Sequence, residues 1–406
     1  MALATRIRSA GAAAVALLAL SAPAGAADPA AIKKDLDQIV TAIRRAAGPG
    51  AGLQIDGQAR VVEQNGEVVA TLPTFTTKGR EGGFVLRPVT LRVKDIDADQ
   101  QQIRVELPGR VETTGPDGKP LFSLVIGNQN LAGVWRKSIQ NFESLQMVLD
   151  RVTVQDPAQK PLVEIQRVSV TGGMKEGAPG LWSGAIKLAV DGTKVAAPDG
   201  TAVTVGSTFY EYTLKDARLV EVAKLTDAAG VSLANPRVLV SGGQVTQQQW
   251  QQIVELMAQL PALVGGMSLL YGVQDISITH PMMGPQPMFR AENLAIGFGV
   301  ANDGQGGASL SLGIDLKRMA GPRELPIEVP PAAVPHSFDL RIEIDQLPTG
   351  AVWDAFFGTL RQQLARPAQA RPGQKAPTPE EVLETAAGAA FGMSLPVAME
   401  SFAKAR

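Results

Sequence analysis

Hydrophobic and polar residues alternate with a period of two along most of the chain from residue 51 to residue 240. Clear alternating runs lie at residues 89–93, 103–107 and 186–190. Turn-forming residues separate the runs, and Asn65-Gly66, which is flanked by two pairs of valines, is a strong hairpin signal. Short alternating strands separated by turns are typical of antiparallel meanders. The pattern therefore predicts an antiparallel β region over residues 51–240.

The same period returns after residue 267 and is clearest between Phe338 and Ile344. There the even-numbered positions are apolar, whereas the odd-numbered positions between them are charged. Such a strand has one buried and one solvated face. Before it, an apolar stripe with a period near 3.6 predicts a helix from Thr246 to about Leu260. Residues 241–347 are therefore expected to form a helix followed by a second β region.

Helical periodicity also marks both ends of the chain. An aspartate cap and a proline at residues 28–29 precede an apolar stripe, which predicts an amphipathic helix within residues 27–50. The stripe consists of Ile32, Leu36, Ile39 and Ile43. Residues 348–406 are expected to form further helices, separated by a proline-rich linker at residues 366–379.

These elements predict a mainly β protein of the α+β type. Its core would be a long curved antiparallel sheet, or trough, accompanied by a few packed amphipathic helices. A closed sandwich of two sheets requires the same alternation of residues, so it remains the alternative architecture.

One short sequence phrase recurs along the chain: two polar residues, then an apolar residue, any residue and another apolar residue. It begins at Lys94, Asp150, Gln166, Lys215, Gln274 and Glu292. Half-buried strands often have this composition, which is one explanation. The other is a row of equivalent strands in one long sheet, each entering from the same edge. The spacing is irregular, so no strict solenoid is predicted.

The segment from Leu256 to Val273 is nearly uncharged and raises the question of a membrane span. Pro261 and the pair Gly265-Gly266 argue against a continuous helix, so a buried or groove-covering element is expected instead. If the sheet forms a trough, apolar residues of this region and of the strand at 338–344 could contact a ligand. The candidates are Trp250, Met257, Leu260, Met267, Leu270, Phe338, Leu340, Ile342 and Ile344. Ordinary core packing is the alternative for each of them.

The first 26 residues have the pattern of a cleavable signal peptide. Arg6 and Arg8 precede a short apolar stretch at residues 12–20, and Ala24-Gly25-Ala26 is a typical cleavage site. The apolar stretch is shorter than the roughly 20 residues that a membrane-spanning helix needs. The sequence therefore predicts export to the periplasm, with no transmembrane span after cleavage.

Composition excludes several classes of function. The net charge of −1 becomes −3 when Arg6 and Arg8 are removed, and no basic run is present, so nucleic acid is not an expected partner. The chain contains no cysteine, which excludes disulfides and thiolate metal sites. With only two histidines, His280 and His336, a histidine-based zinc site is also not expected. No cofactor is predicted.

Candidate catalytic and metal-binding patterns are weak. Both histidines adjoin a proline, and no nucleophile elbow of the Gly-x-Ser-x-Gly form occurs, so an enzyme is not predicted. Aspartates at residues 95, 97 and 99, with Glu106, match part of a calcium loop. However, Gln100 occupies the position that requires glycine, which favours a polar strand end. The glycines at residues 297–307 fit turns and bulges better than a phosphate-binding loop.

The signal peptide, the strand-rich body with phrases such as Glu292-Asn293-Leu294-Ala295-Ile296, and the join from Phe338 to Leu347-Pro348 resemble AsmA-like envelope proteins. They also resemble the exported YdgA-like families. The resemblance implies a long curved sheet with an apolar trough and a link to phospholipid transport and outer-membrane integrity. AsmA-like proteins usually keep an N-terminal membrane anchor, whereas the apolar segment here is too short. The implied function is a non-enzymatic carrier of lipid or another apolar ligand, or else a structural scaffold that binds envelope proteins.

Overall fold

The computed structural model describes residues 28–30, 32–34, 36–37, 40, 53–77, 82–197, 199–228, 254–255, 258–259, 262–284, 286–302, 307–320, 337–347 and 358. Eight short strands come first: β1 (Gln54–Asp56), β2 (Arg60–Gln64), β3 (Glu67–Thr71), β4 (Thr74–Thr76), β5 (Gly83–Leu86), β6 (Thr90–Asp95), β7 (Gln100–Glu106) and β8 (Arg110–Thr114).

Nine longer strands follow and form most of the molecule. They are β9 (Pro120–Arg136), β10 (Asn141–Gln155), β11 (Pro161–Ala178), β12 (Leu181–Ala196), β13 (Ala202–Ala217), β14 (Val264–Thr279), β15 (Phe289–Asn302), β16 (Ala308–Lys317) and β17 (Phe338–Leu347). Helix α1 (Leu219–Ala228) lies between β13 and β14, and short 3-10 helices occupy Lys137–Ile139 and Pro281–Met283.

All seventeen strands belong to one antiparallel sheet, which branches at β9. From β9 to β17, each strand pairs with the next one along the chain. On its other side, β9 pairs with β8 through its first half and with β7 through its second half. The mainly β prediction of a long antiparallel sheet is therefore confirmed. The β regions predicted at 51–240 and 241–347 are parts of this one sheet, since β13 pairs directly with β14.

The two branches beyond β9 form an N-terminal lobe around a common hydrophobic core. One branch is β8–β5–β4–β1 and the other is β7–β6–β3–β2. Residues from both branches pack with the described helical residues 32–34, 36–37 and 40, of which Ile32 and Leu36 are almost fully buried. The Asp28 side chain accepts a hydrogen bond from Ala30 N, at 2.9 Å, as a helix cap does. Ile39 and Ile43 lie outside the described residues.

A polar network joins this lobe to the long strands. Arg136, at the end of β9, forms ion pairs with Asp99 at 3.2 Å and with Glu143 at 2.9 Å. Its guanidinium also lies 5.4 Å from the ring centroid of Trp182. The nearby Lys137 forms an ion pair with Asp95 at 3.2 Å. Two of the aspartates considered for calcium binding are thus engaged by cations of the protein itself, and the segment is the predicted polar strand end.

Replacing Arg136 with methionine is expected to destabilise the fold by about 2–3 kcal/mol, because two half-buried carboxylates lose their partner. A matched control is Arg167→Met. Arg167 pairs with Asp150 at 2.8 Å, but its side chain is 56% exposed, compared with 25% for Arg136. Exposed pairs contribute little, so the control should cost less than about 0.5–1 kcal/mol. Urea denaturation followed by tryptophan fluorescence measures both effects, and equal losses would contradict the proposed role of Arg136.

The pairing of the long strands is interrupted at corresponding positions of successive strands. We call this line across the strands the crease. It is formed by residues at which the register between neighbouring strands skips one or two positions: Gly127, Arg151, Gln166, Gly192, Gly206, Asp275 and Glu292. At the end of this line, Arg318 forms an ion pair with Glu292 at 2.8 Å. On every second strand the crease residue has a positive φ, which is 55° at Arg151, 64° at Gly192 and 52° at Asp275. Such residues interrupt the regular pleat and bend a strand. The crease therefore interrupts the regular pairing of the sheet along one line.

The recurring sequence phrase is explained in part by this crease. Four of its six occurrences, those that begin at Asp150, Gln166, Gln274 and Glu292, place their polar pair on the crease. Two consecutive polar residues shift the apolar alternation by one position, from Leu149 to Val152 for example. The phrase therefore does mark a row of strands. The strands alternate in direction, so the expectation that all enter from the same edge is wrong.

Candidate functional site

The strand register places the apolar residues of nine strands on one face of the sheet. Residues paired directly across antiparallel strands point to the same side. One such row contains Leu131, Met147, Val170, Leu188, Tyr210, Tyr271, Ile296, Ile314 and Leu340. Neighbouring rows add further apolar residues, for example Leu269, Phe298, Leu312 and Ile342. We call this surface the apolar face. On each strand it includes only the part that lies on the same side of the crease as β17.

Much of the apolar face is exposed. Among the described residues, eleven of the fourteen exposed large hydrophobic residues lie on it: Leu188, Tyr210, Met267, Leu269, Tyr271, Leu294, Ile296, Phe298, Phe338, Ile342 and Ile344. At about 40% exposure and roughly 180 Å² per side chain, they present about 800 Å², whereas the largest patch on a typical monomer is about 300–600 Å². An exposed apolar surface of this size is typical of a binding surface.

The sheet is a single layer at its centre. Five consecutive residues of β14, from Met267 to Tyr271, are all exposed, although they point alternately to the two faces. A second sheet packed on either face would bury every other one of them. The described part of the chain therefore forms an open sheet here, which agrees with a trough and not with a closed sandwich.

The opposite face carries small, polar and charged residues. Lys187, Glu211, Ser268, Asp315 and Arg341 lie on it, on successive or neighbouring strands. A depression of about 540 Å³ on this face is lined by Phe209, Leu270, Gln274, Asn293, Asp315, Lys317, Asp339 and Arg341, among others. By contrast, the register places no charged residue of β14–β17 on the apolar face, whereas Glu176, near the end of β11, lies on it and pairs with Trp182. Over β14–β17, charge is thus segregated to the opposite side of the sheet.

Burial on the apolar face decreases from the N-terminal lobe towards β17. Leu131 on β9 is 6% exposed, whereas Phe298 on β15 is 47% exposed. Beside β11–β14, helix α1 contributes Leu219 to a second core cluster that includes Met174, Trp182 and Leu214. The apolar face is therefore closed at the lobe, bordered by α1, and open over β15–β17.

The open part matches the dimensions of lipid acyl chains. Strands lie about 4.8 Å apart, so β14 to β17 span about 14 Å across the strands. Seven residues along β15, from Leu294 to Val300, extend over roughly 20–24 Å. One leaflet of a bilayer contributes about 15 Å of hydrocarbon, half of the total thickness. An acyl chain can therefore lie on this surface along either direction.

All three tyrosines of the chain lie on the apolar face. Tyr210 and Tyr271 are directly paired across β13 and β14, and Tyr212 is two residues further along β13. Tyr210 and Tyr271 are 41% and 43% exposed. Tyr212 packs against the core cluster beside α1, and burial, together with Tyr210 to a smaller extent, raises its pKa. Its phenol group therefore stays protonated at neutral pH.

The predicted ligand-contacting residues have different positions. Met267 and the β17 residues Phe338, Leu340, Ile342 and Ile344 lie on the apolar face. Leu270 lies on the opposite face, because it pairs with Glu211. Trp250, Met257 and Leu260 lie outside the described residues. From Val264 onwards, the uncharged segment expected to be a buried or groove-covering element is strand β14 of the sheet itself.

Sequence reasoning missed the central residues of the site. Tyr210, Tyr271, Ile296 and Phe298 were not candidates, although each belongs to an alternating run. Alternation alone identifies many such runs. The signal that could have singled them out is the register, which brings exposed residues of distant runs together on one face.

The remaining candidate residues form no second site among the residues described. His280 accepts a hydrogen bond from Met282 N through Nδ1, at 3.2 Å, and so begins a 3-10 helix. His336 lies outside the described residues. The Asp97 side chain accepts hydrogen bonds from the backbone N–H groups of Asp99 and Gln100, which lower its pKa. No cluster of three or more metal-ligating side chains occurs in the described ranges.

Within the described residues, no helix is both long and apolar enough to cross a membrane. Comparison of the chain with protein-family models, with curated proteins and with solved structures finds no match. The apolar face itself therefore provides the basis for assigning a function.

Proposed function

We propose that this protein is an exported, non-enzymatic envelope protein that binds lipid acyl chains, or chemically similar apolar ligands, on the apolar face. The single observation that supports the proposal most directly is the exposure of eleven large hydrophobic residues on one face of a single-layered sheet. The signal-peptide pattern and the resemblance to AsmA-like proteins agree with a periplasmic location.

The energetics favour lipids with two acyl chains. Burial of a CH₂ group contributes about 0.8 kcal/mol relative to water. A chain of about 14 CH₂ groups that lies on an open face is roughly half-buried, so it gains about 6 kcal/mol before the costs of ordering. That value corresponds to a Kd of tens of micromolar at best. Two chains side by side approximately double the gain, and the width of the open strands accommodates both.

Native mass spectrometry of the exported protein, purified without detergent, tests the proposal. We expect bound lipid that denaturation releases, with at least one two-chain lipid per protein molecule. The purified protein should also enhance the fluorescence of diphenylhexatriene, a hydrocarbon probe. Protein that carries no lipid and binds no hydrocarbon probe would overturn the proposal.

The alternative is a scaffold that uses the same apolar face to bind an envelope protein or a second copy of itself. The absence of charge from the face over β14–β17 favours an apolar partner in either case. A stable dimer in native mass spectrometry, with no lipid and no probe binding, would support the scaffold. Lipid on a monomer would support the carrier.

A further inference from the structure

The three tyrosine hydroxyls are polar groups beside the most apolar part of this surface. On β15, β16 and β17, the residues that point to this face are leucine, isoleucine, valine or phenylalanine from Leu294 to Val300, from Leu310 to Leu316 and from Phe338 to Ile344. Tyr210, Tyr212 and Tyr271 lie next to this region, on β13 and β14. The apolar face thus has a hydrocarbon-like part and a part that can form hydrogen bonds.

The hydroxyls are free to bind a ligand. Within the described residues, none of the three forms a hydrogen bond with another protein group. A phenol group in an apolar setting usually has a hydrogen-bond partner. On the open face solvent provides that partner, since Tyr210 and Tyr271 are 41% and 43% exposed and no tyrosine hydroxyl of the described residues is buried without a partner. A ligand that covers the rings must replace this solvent, and a ligand with oxygen acceptors does so.

Charge identifies the kind of acceptor. No lysine or arginine lies on the apolar face within the register described above, so an anionic phosphate placed there would lose water without gaining a cation. A neutral ester carbonyl carries no such penalty. It accepts hydrogen bonds from phenol groups, and in a diacyl lipid it lies directly at the head of each acyl chain.

We propose that Tyr210, Tyr212 and Tyr271 bind the ester oxygens of a diacylglycerol-type lipid and thereby set the position of the lipid on the sheet. The acyl chains then run from β14 across β15–β17, over about 14 Å, close to the hydrocarbon depth of one bilayer leaflet. The headgroup remains in solvent beyond the tyrosines. This inference rests on the proposed function and specifies the part of the lipid that is recognised.

The test uses the triple variant Tyr210→Phe, Tyr212→Phe and Tyr271→Phe, which removes the hydroxyls and keeps the rings. Binding of three probes is compared: dioleoylglycerol, its ether-linked analogue, which lacks the carbonyls, and diphenylhexatriene. We expect the variant to bind dioleoylglycerol about 10- to 100-fold more weakly than the wild type. Binding of the ether analogue and of diphenylhexatriene should change by less than about threefold. Phosphatidylglycerol, which has both esters and a phosphate, should behave like dioleoylglycerol.

The outcomes are distinguishable. If the variant binds the ester and ether lipids as the wild type does, ester recognition by the tyrosines is overturned, whereas the proposed function stands. If binding of all three probes falls equally, the hydroxyls have no ester-specific role, and the inference fails. If the wild type binds none of the probes, both proposals fail.

Thr213→Val, which removes a hydroxyl from the opposite face, is the matched control and should leave all affinities unchanged. Urea denaturation verifies that each variant is folded.

Discussion

Replacing Ile296 and Phe298 together with lysine should raise the Kd for a diacyl lipid at least about 100-fold, which corresponds to about 2.8 kcal/mol. Both residues lie on β15 in the open part of the apolar face, where they are 48% and 47% exposed. An acyl chain over this position would have to cover two ammonium groups, and each costs several kcal/mol to remove from water. The loss of apolar contacts adds to this penalty.

The fold should tolerate these lysines, because half-exposed side chains contribute less packing energy than buried ones. We expect a stability change within about 1–2 kcal/mol. The matched control is Ser268→Lys, which adds a lysine to the opposite face of the adjacent strand β14. Titration with a fluorescent diacyl lipid measures binding, and urea denaturation measures stability. Unchanged lipid affinity in the double variant would remove the apolar face as the binding site.

The fold class was predictable because alternation is a local property. In β17 the charged and apolar positions alternate without interruption from Phe338 to Glu343, and the strand follows directly. In β14 two leucines are adjacent, so the sequence does not indicate which of them lies on the apolar face. The pairing decides this point, since Leu269 faces Tyr212 and Leu270 faces Glu211.

The site itself depends on contacts between residues that are distant in the sequence. Tyr210 and Tyr271 are paired, yet helix α1 and the segment after it separate their strands. Alternation gives no information on which strands are neighbours or on their register.

Short helices pose a related problem. Helix α1 lies within the region predicted as β, because it follows directly on a strand and has only ten residues to establish a helical period.

The crease shows a third limit of sequence reasoning. The recurring phrase correctly suggested a row of strands, because a polar pair is required wherever the apolar alternation shifts by one position. The left-handed conformation of Arg151 and Asp275 at that line has no clear sequence signal, since neither residue is glycine. Tertiary pairing holds both residues there. The position of the crease was therefore not predictable, although the long antiparallel sheet was.

Replacing Gly173 with alanine should destabilise the protein by about 3–5 kcal/mol. Gly173 lies in β11 with a φ of 151°, a conformation that residues other than glycine rarely adopt. A Cβ atom there would overlap the backbone carbonyl of Glu143 on β10. Relief of that overlap would move β11 away from β10 and displace the adjacent Met174, which is 1% exposed, from its cluster with Trp182.

Gly177→Ala in the same strand is the matched control for this prediction. A Cβ atom added to Gly177 would have no neighbouring atom within 4 Å, and its φ is not positive, so alanine should be neutral or stabilise by about 0.4–1 kcal/mol. Urea denaturation followed by far-UV circular dichroism compares the midpoints of the two variants with that of the wild type. Similar midpoints for both would show that β10 and β11 do not approach each other closely at Gly173.

If Gly173→Ala is as destabilising as expected, the close approach of these strands is a requirement of the sheet that carries the apolar face. Lipid binding should then be lost together with folding in Gly173→Ala, whereas the lysine variant at residues 296 and 298 should lose binding alone.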